Sequence, residues 1–568
     1  MINVRKVIST HWGFILLVLY YFFLLNYGLL LPHINTLLRI YFLMIFWHFI
    51  FIMSCVFFYK YLAVTNLYKI FVVSIYPTMI MTILLQYVSM YNKYNVNMCL
   101  DFLININQFY YKNISLEFNN VNVMFSTVTI QIFIVSMIFS YYYNFNMIYS
   151  FRFFTLLNSF VFSMVFLLHG SSLFITFFFW EFIGIFSFTL ISFNNNKPNT
   201  LKSSSKAVFF NKISDLLFLV SIASLYLMIG NFFIDINSLH ILFIHTCFQR
   251  PSILGVELLD IFLVSLSIAC FIKSAQIFLH FWLPDSMEAP LPASALIHSA
   301  TLVAAGIYMF IKFRDVFFLS DFFSNSIIAI STITFFFGSL TASVQSDYKK
   351  ILAYSTIANC GVMFFSIFIV DINIVIIYFA IHGFYKSITF LISGFLIAQI
   401  NHNQDSRYSA SNSKIFLSII SLIFITILYL SSWSFLYSSI IKHLSVSYNT
   451  PIIIFKLSLF LGTIFSYSYS IRLVFIFIEK FLKFYKKNIF DKNYRFFFTI
   501  YIYLMLIHIF SYFNFYKNEK IISNNNFNKN TTFFFLNILL YYFTLFKNFN
   551  FFFFKKKYLL LLMFIIFF

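Results

Sequence analysis

The chain has 568 residues, 61% of them hydrophobic and only 10% charged, with a formal net charge of +20. Phenylalanine occurs 89 times and tyrosine 38 times, and the mean hydropathy is +0.89, which excludes an ordinary soluble domain. The basic residues sit in short loops between apolar runs, so they read as topology signals and phospholipid headgroup contacts, not as a nucleic-acid surface.

From the amino end, the first six residues are basic, but the apolar run after His11 continues for a full span with no small-residue cleavage site. No cleavable secretory signal is expected. Spans of roughly 20 apolar residues suit a hydrocarbon core of about 30 Å. They are expected at 12–32, 37–59, 68–90, 121–142, 152–169, 172–193, 206–228, 254–276, 292–312, 324–344, 350–370, 372–399, 414–433, 434–447, 452–478 and 496–515. Polar connectors are expected at 194–205, 402–413 and 480–495, the last carrying the densest basic run. By the positive-inside rule that run faces the inner compartment. The five cysteines show no C-x-x-C spacing, and neither a G-x-G-x-x-G nor a P-loop pattern occurs, so no metal, cluster or nucleotide site is expected in this chain. The excess of Phe, Ile, Asn, Lys and Tyr suggests an AT-rich genome such as an organelle's.

Ionisable residues inside apolar runs are expensive and are functional by default. Glu181 lies in a run with no other charge, Phe177-Phe-Phe-Trp180-Glu181-Phe-Ile-Gly184. Asn211-Lys212-Ile-Ser214-Asp215 opens the next run, and Lys212 is the obvious partner for Glu181. A purely structural salt bridge is the alternative. Lys273 stands at the foot of an apolar run that is broken by three prolines within nine residues, among Asp285 and Glu288. A lysine, unlike an arginine, can release its proton in a desolvated site; snorkelling to the headgroups would make it inert. His298 opens the following run and can relay a proton. Asp285 and Glu288 can equally shape the helix ends. Further on, His382 and Lys386 are four residues apart and share a helix face.

The stretch 273–301, K-S-A-Q followed by H-F-W-L-P-D-S-M-E-A-P-L-P-A-S-A-L-I-H-S-A-T, resembles the core signature of the subunit 5 family of mitochondrial and bacterial NADH dehydrogenase, complex I. Related cation/proton antiporter subunits share much of it. The resemblance covers about residues 120–475 and implies an all-α, polytopic transmembrane bundle with antiporter-like inverted five-helix repeats and interrupted helices. It divides the chain into leading helices (1–118), a proton-translocating core (119–478) and a basic loop with a shortened membrane segment (479–568). By resemblance, Glu181 and Lys212 form the modulating pair, with Asp215 a further site residue of the same motif, Lys273 and His298 hold the first-half proton, and His382 and Lys386 pass it on. Where the family often has another histidine, this chain has Tyr378, and a phenol hydrogen-bonds but does not titrate near neutral pH. The family's last lysine is missing at Ser438, which makes Lys442 the nearest candidate exit, with a solvated helix end as the alternative. Arg472 fits a structural position better than a catalytic one.

The resemblance implies proton translocation by a membrane-arm subunit of NADH:ubiquinone oxidoreductase in the mitochondrial inner membrane. Flavin, iron–sulfur clusters and quinone would belong to partner subunits, the nearest partner being the adjacent antiporter-like subunit. The rival readings are a Na⁺/H⁺ antiporter subunit and a non-pumping scaffold of the same fold. In residues 533–568 three lysines interrupt two apolar pieces, so the family's long lateral helix is expected to be short or absent.

Overall fold

The computed structural model describes residues 95–100, 114–143, 150–229, 252–253, 256–399, 404–405 and 453–483. The spans expected before residue 95, at 414–447 and at 496–515, the candidate exit Lys442, and the carboxyl-terminal segment 533–568 lie outside the described residues.

A short antiparallel hairpin, β1 (Asn95–Leu100) with β2 (Ile114–Asn119), precedes the helices and pairs Asn95 with Asn119. Four long helices follow: α1 (Asn120–Tyr143), α2 (Ser150–His169), α3 (Leu173–Ile191) and α4 (Pro198–Ile229). A second, two-residue hairpin, β3 (Ser252–Ile253) with β4 (Val256–Glu257), leads into α5 (Leu258–Lys273). Next come the single turn α6 (Trp282–Asp285), a 3₁₀ turn (Ser286–Glu288), α7 (Leu291–Ser299), α8 (Leu302–Lys312) and the short α9 (Arg314–Phe317). The bundle is completed by α10 (Asp321–Val344), α11 (Tyr348–Ile369), α12 (Ile372–Gln399) and α13 (Ile453–Lys483). Among the described residues eight spans are long and apolar enough to cross a membrane, one of them the α7–α8 stretch Leu291–Lys312. The architecture is a polytopic helical membrane bundle.

Helices are what apolar runs form in lipid, because every backbone N–H and C=O must be paired inside the segment. The many serines and threonines do not contradict this. Ser126, Thr176, Ser214 and Ser366 each donate their hydroxyl to the carbonyl three residues earlier, so the polar atom is satisfied on its own helix.

Three sequence expectations need correction. The connector expected at 194–205 is shorter, because Pro198 starts α4: proline's missing N–H costs nothing in a first turn. The expected span 254–276 ends at Lys273, which closes α5 and is not interior to it. The expected span 292–312 is two helices, α7 and α8, interrupted at Ala300 and Thr301.

The α7–α8 span is wholly buried and α1, α11 and α12 nearly so, whereas only about two fifths of α3, α4 and α10 is covered. The former make the centre and the latter the rim. Backbones approach closely between α10 and α11: a Cβ on Gly338 would lie 2.7 Å from the Ala358 nitrogen, and one on Gly361 2.7 Å from the Ser331 carbonyl. Small residues at a crossing are the usual means of packing helices where no hydrophobic effect drives them together.

Antiparallel tracing assigns the loops to two faces. One face holds Arg152, Lys197, Lys202, Lys206, Lys349 and Lys350 against Asp285, Glu288 and Asp347. The other holds Glu117, Glu257, Asp260, Asp315, Asp321 and Asp371 against Lys312 and Arg314. Helix α13 runs parallel to α10, since Gly462 meets Phe335 and Arg472 donates to the Ser343 carbonyl further along both. It therefore ends at the basic face, and Arg472 ties two helices together.

Candidate functional site

The site is built where α5 stops in the middle of the bundle. Lys273, its last residue, is 1% exposed. Its Nζ lies 3.5 Å from Asp215 Oδ1 and donates to the Trp180 carbonyl at 3.4 Å. It also stands 5.2 Å from the centroid of the Trp180 ring, a cation–π separation. Gly184 makes the room: a Cβ there would lie 3.3 Å from the ammonium nitrogen. A long charged side chain is thus folded into the α3–α4–α5 seam, with one carboxylate, one carbonyl and one aromatic face around it.

Asp215 is shared. Its other oxygen, Oδ2, is 3.8 Å from Lys212 Nζ, one turn back on α4, and Lys212 in turn donates to Glu181 Oε1 at 2.5 Å. The charges alternate: Glu181, Lys212, Asp215, Lys273. The inner pair is buried, with side chains 1% and 7% exposed, while Lys212 and Glu181 are 52% and 37% exposed on the rim. Buried and outward pairs thus share one continuous chain. Lys212 is at hydrogen-bond distance from Glu181 and at the outer limit of an ion pair with Asp215.

The helix break after Lys273 is held by several bonds. Ala275 and Phe278 adopt left-handed backbone angles, φ 54° and 67°. Trp282 donates its indole N–H back to the Ile272 carbonyl at 2.9 Å, and the Gln276 amide oxygen accepts from Thr334 at 2.8 Å. Lys349, buried at the start of α11, donates to the carbonyls of Met287 and Ala289 at 2.9 and 3.1 Å. Asp285 pairs with Lys206 of α4 at 2.6 Å. Asp285 thus anchors the break to α4.

His298 is fully buried on α7, and its Nε2 shares a hydrogen bond of 3.1 Å with the Ser286 hydroxyl. Trp282 connects the two halves, bonded beside Lys273 and 6.4 Å ring to ring from His298. Deeper in the centre, Lys386 of α12 donates to the Leu352 carbonyl at 3.2 Å and to the Ser355 hydroxyl. His382 is buried one turn earlier on the same helix. Tyr378 donates to Asn359 Oδ1 at 3.0 Å, and Asn359 donates to the Ser355 carbonyl at 2.9 Å. A polar file of Tyr378, Asn359, Ser355 and Lys386 therefore runs between α11 and α12.

The structure brings Glu181, Lys212, Asp215 and Lys273 into one group. It places His298 beyond the break and His382 and Lys386 in the centre as separate stations. Sequence reading gave Asp215 only a place in a motif, whereas the geometry makes it the bridge between both lysines. A second buried group was missed: Glu117 of β2, His169 at the end of α2, and Lys312 at the end of α8. Each stands at the end of an apolar run, where a charge reads as a solvated helix end, and the three come together across 195 residues of chain.

The chain is thus a polytopic helical membrane bundle with one acid–lysine pair buried where a helix stops, joined to a second pair on the rim. Comparison adds to this: residues 170–435 match the family described as NADH:quinone oxidoreductase/Mrp antiporter, TM. NADH-ubiquinone oxidoreductase chain 5 of Paramecium tetraurelia is 39% identical over 307 residues, covering 54% of this chain and 53% of that one. NADH-quinone oxidoreductase subunit L of Rickettsia typhi is 37% identical over 254 residues, 44% of this chain and 38% of that one. The chain spans about half the length, or less, of the curated relatives it matches. Among solved structures, the archaeal membrane-bound sulfane sulfur reductase complex aligns with a TM-score of 0.67 at 15% identity, over 84% of this chain and 95% of that one. The Mrp complex from Dietzia sp. aligns with a TM-score of 0.60 at 19% identity, over 77% of this chain and 47% of that one. At those identities the two structures share the fold.

Proposed function

We propose that the chain is a proton-translocating membrane-arm subunit of NADH:ubiquinone oxidoreductase, working as a translocase in the mitochondrial inner membrane. The observation that carries this reading is Lys273, buried and joined through Asp215 to a second lysine that can choose between two acids. A neighbouring acid favours the protonated amine. While Lys212 pairs with Glu181, Asp215 is left to Lys273, which holds its proton. When Lys212 turns to Asp215, it takes up part of that carboxylate, Lys273 loses its counter-charge, and the proton leaves. The rim placement of Glu181 and Lys212 makes an adjacent antiporter-like subunit the natural source of the trigger. His298 takes the proton across the break, His382 and Lys386 pass it through the centre, and Lys442 delivers it. Electron transfer, with its flavin, iron–sulfur clusters and quinone, belongs to partner subunits.

The test is proton flux per NADH oxidised in the native complex, reconstituted in liposomes, with Lys273→Met. The substitution keeps the helix and removes the proton carrier, so flux collapses while the complex assembles. Wild-type flux in that variant would sink the reading. The family description also includes Mrp antiporters. Co-purification of this chain with NADH-oxidising activity separates the two.

A further inference from the structure

The missed group at the acidic face is a site in its own right. Glu117 is 1% exposed and His169 is fully buried. Lys312 Nζ lies 3.9 Å from Glu117 Oε2, donates to the Gly170 carbonyl at 3.1 Å, and sits 5.0 Å from the centroid of the Tyr308 ring. Asn119 donates to the other carboxylate oxygen, and Asn122 Nδ2 donates to the Glu117 carbonyl at 3.2 Å. The Tyr308 hydroxyl donates to Leu168 and Asn122 oxygens at 2.5 and 2.9 Å. Among the described residues, the charged and titratable groups come from β2 (Glu117), α2 (His169) and α8 (Tyr308 and Lys312), and α1 adds the neutral Asn122.

His169 decides what the site can do. Its Nδ1 lies 3.0 Å from the Glu117 carbonyl oxygen. A carbonyl only accepts, so Nδ1 must carry the hydrogen, and the neutral ring then presents a lone pair at Nε2. That Nε2 is buried and has no hydrogen-bond partner among the described residues. A purely structural histidine would need only the Nδ1 bond, and leaving the second nitrogen bare in a protein interior is a cost that calls for an explanation. Nor is the ion pair closed: 3.9 Å is too long for a direct hydrogen bond.

Position supplies the remaining argument. The positive-inside rule places the face with Lys197, Lys202, Lys206, Lys349 and Lys350 inward, so the face carrying this group is the outer one. Strand β2 and the turn after α2, bridged by Leu116 and Gly170, are its cover.

We infer that His169, set between Glu117 and Lys312, is a proton-release station at the outer face of the first half of the bundle. A proton arriving through water binds Nε2 and makes an imidazolium; the same ring then gives that proton to outer water and returns to the neutral form, so no atom is gained or lost. The positive charge of Lys312, which pairs with Glu117 and holds the carbonyl next to His169, opposes an added one. An imidazolium there is short-lived, as a release station requires. The inference rests on the reading of the chain as a proton translocator.

The test uses His169→Asn in the reconstituted native complex, beside Lys273→Met. The asparagine amide can stand where Nδ1 stands and keep the donation to Glu117, while nothing replaces Nε2. The expected result is full assembly with flux per NADH reduced at least threefold. Wild-type flux in His169→Asn with collapsed flux in Lys273→Met would overturn the station and leave the translocator reading intact. Wild-type flux in both would overturn the translocator reading itself. If His169→Asn fails to assemble, His169→Gln, whose amide reaches the same carbonyl, replaces it; failure of both to assemble makes the residue a folding element and overturns the proposal.

Discussion

Asp215 stands between two lysines but touches the buried one more closely, at 3.5 Å from Lys273 against 3.8 Å from Lys212. Removing one partner of a buried ion pair leaves the other uncompensated, at a cost of about 3–5 kcal/mol. Asp215→Asn leaves Lys273 without its counter-charge and therefore lowers proton flux severalfold. Asp215→Glu restores part of it, because the charge returns at a different reach. Flux per NADH in assembled complex is the measurement; equal flux in Asn and wild type would show that Asp215 is not the bridge.

Lys349 holds the Met287 and Ala289 carbonyls, and Lys349→Met leaves both without that donor. Each buried acceptor left unbonded costs about 1–3 kcal/mol. The expected outcome is a complex that loses activity faster on warming in detergent, with Lys349→Arg intermediate. An unchanged inactivation rate would remove Lys349 from the support of the break.

Tyr378→Phe removes the donor to Asn359 Oδ1 and nothing else in the packing. Stability should fall by about 1 kcal/mol, read as a drop in melting temperature of about 2 °C. Flux should hold, because the phenol does not carry the proton. A large loss of flux at unchanged stability would instead make Tyr378 a proton carrier.

Gly361→Ala would press a methyl against the Thr334 hydroxyl and to 2.7 Å from the Ser331 carbonyl. Backbone cannot yield as a side chain does, and overpacking costs typically about 1–3 kcal/mol. Reduced accumulation of the assembled complex in membranes is expected, visible on a native gel. Normal accumulation would mean that α10 and α11 can separate at little cost.

Much of this was legible in the sequence. Apolar length located the spans, because a bilayer leaves a run of about 20 apolar residues little choice but a helix. Glu181, Lys212 and Lys273 stood out because a charge in hydrocarbon has no cheap explanation. Hydropathy could not show that α5 stops at Lys273, nor that 292–312 is interrupted, since a break held by side-chain hydrogen bonds leaves composition unchanged. Glu117, His169 and Lys312 escaped for the opposite reason. At the end of a run a charge is cheap, and only the packing of β2 onto α2 and α8 turns three ordinary end residues into a buried group.

The two residues that turn the chain after Lys273 are an alanine and a phenylalanine, both held left-handed. For a side chain with a Cβ that conformation costs roughly 1–2 kcal/mol, and here Trp282, Gln276 and Lys349 brace the segment around it. Glycines at those points would have made a swivel; alanine and phenylalanine make a fixed elbow. Moving the elbow would mean breaking its braces together, whereas Lys212 can cross between Glu181 and Asp215 by side-chain rotation alone. On the proposed mechanism, charge is then switched by rotamers on a stationary frame, at the speed of side chains and not of helices.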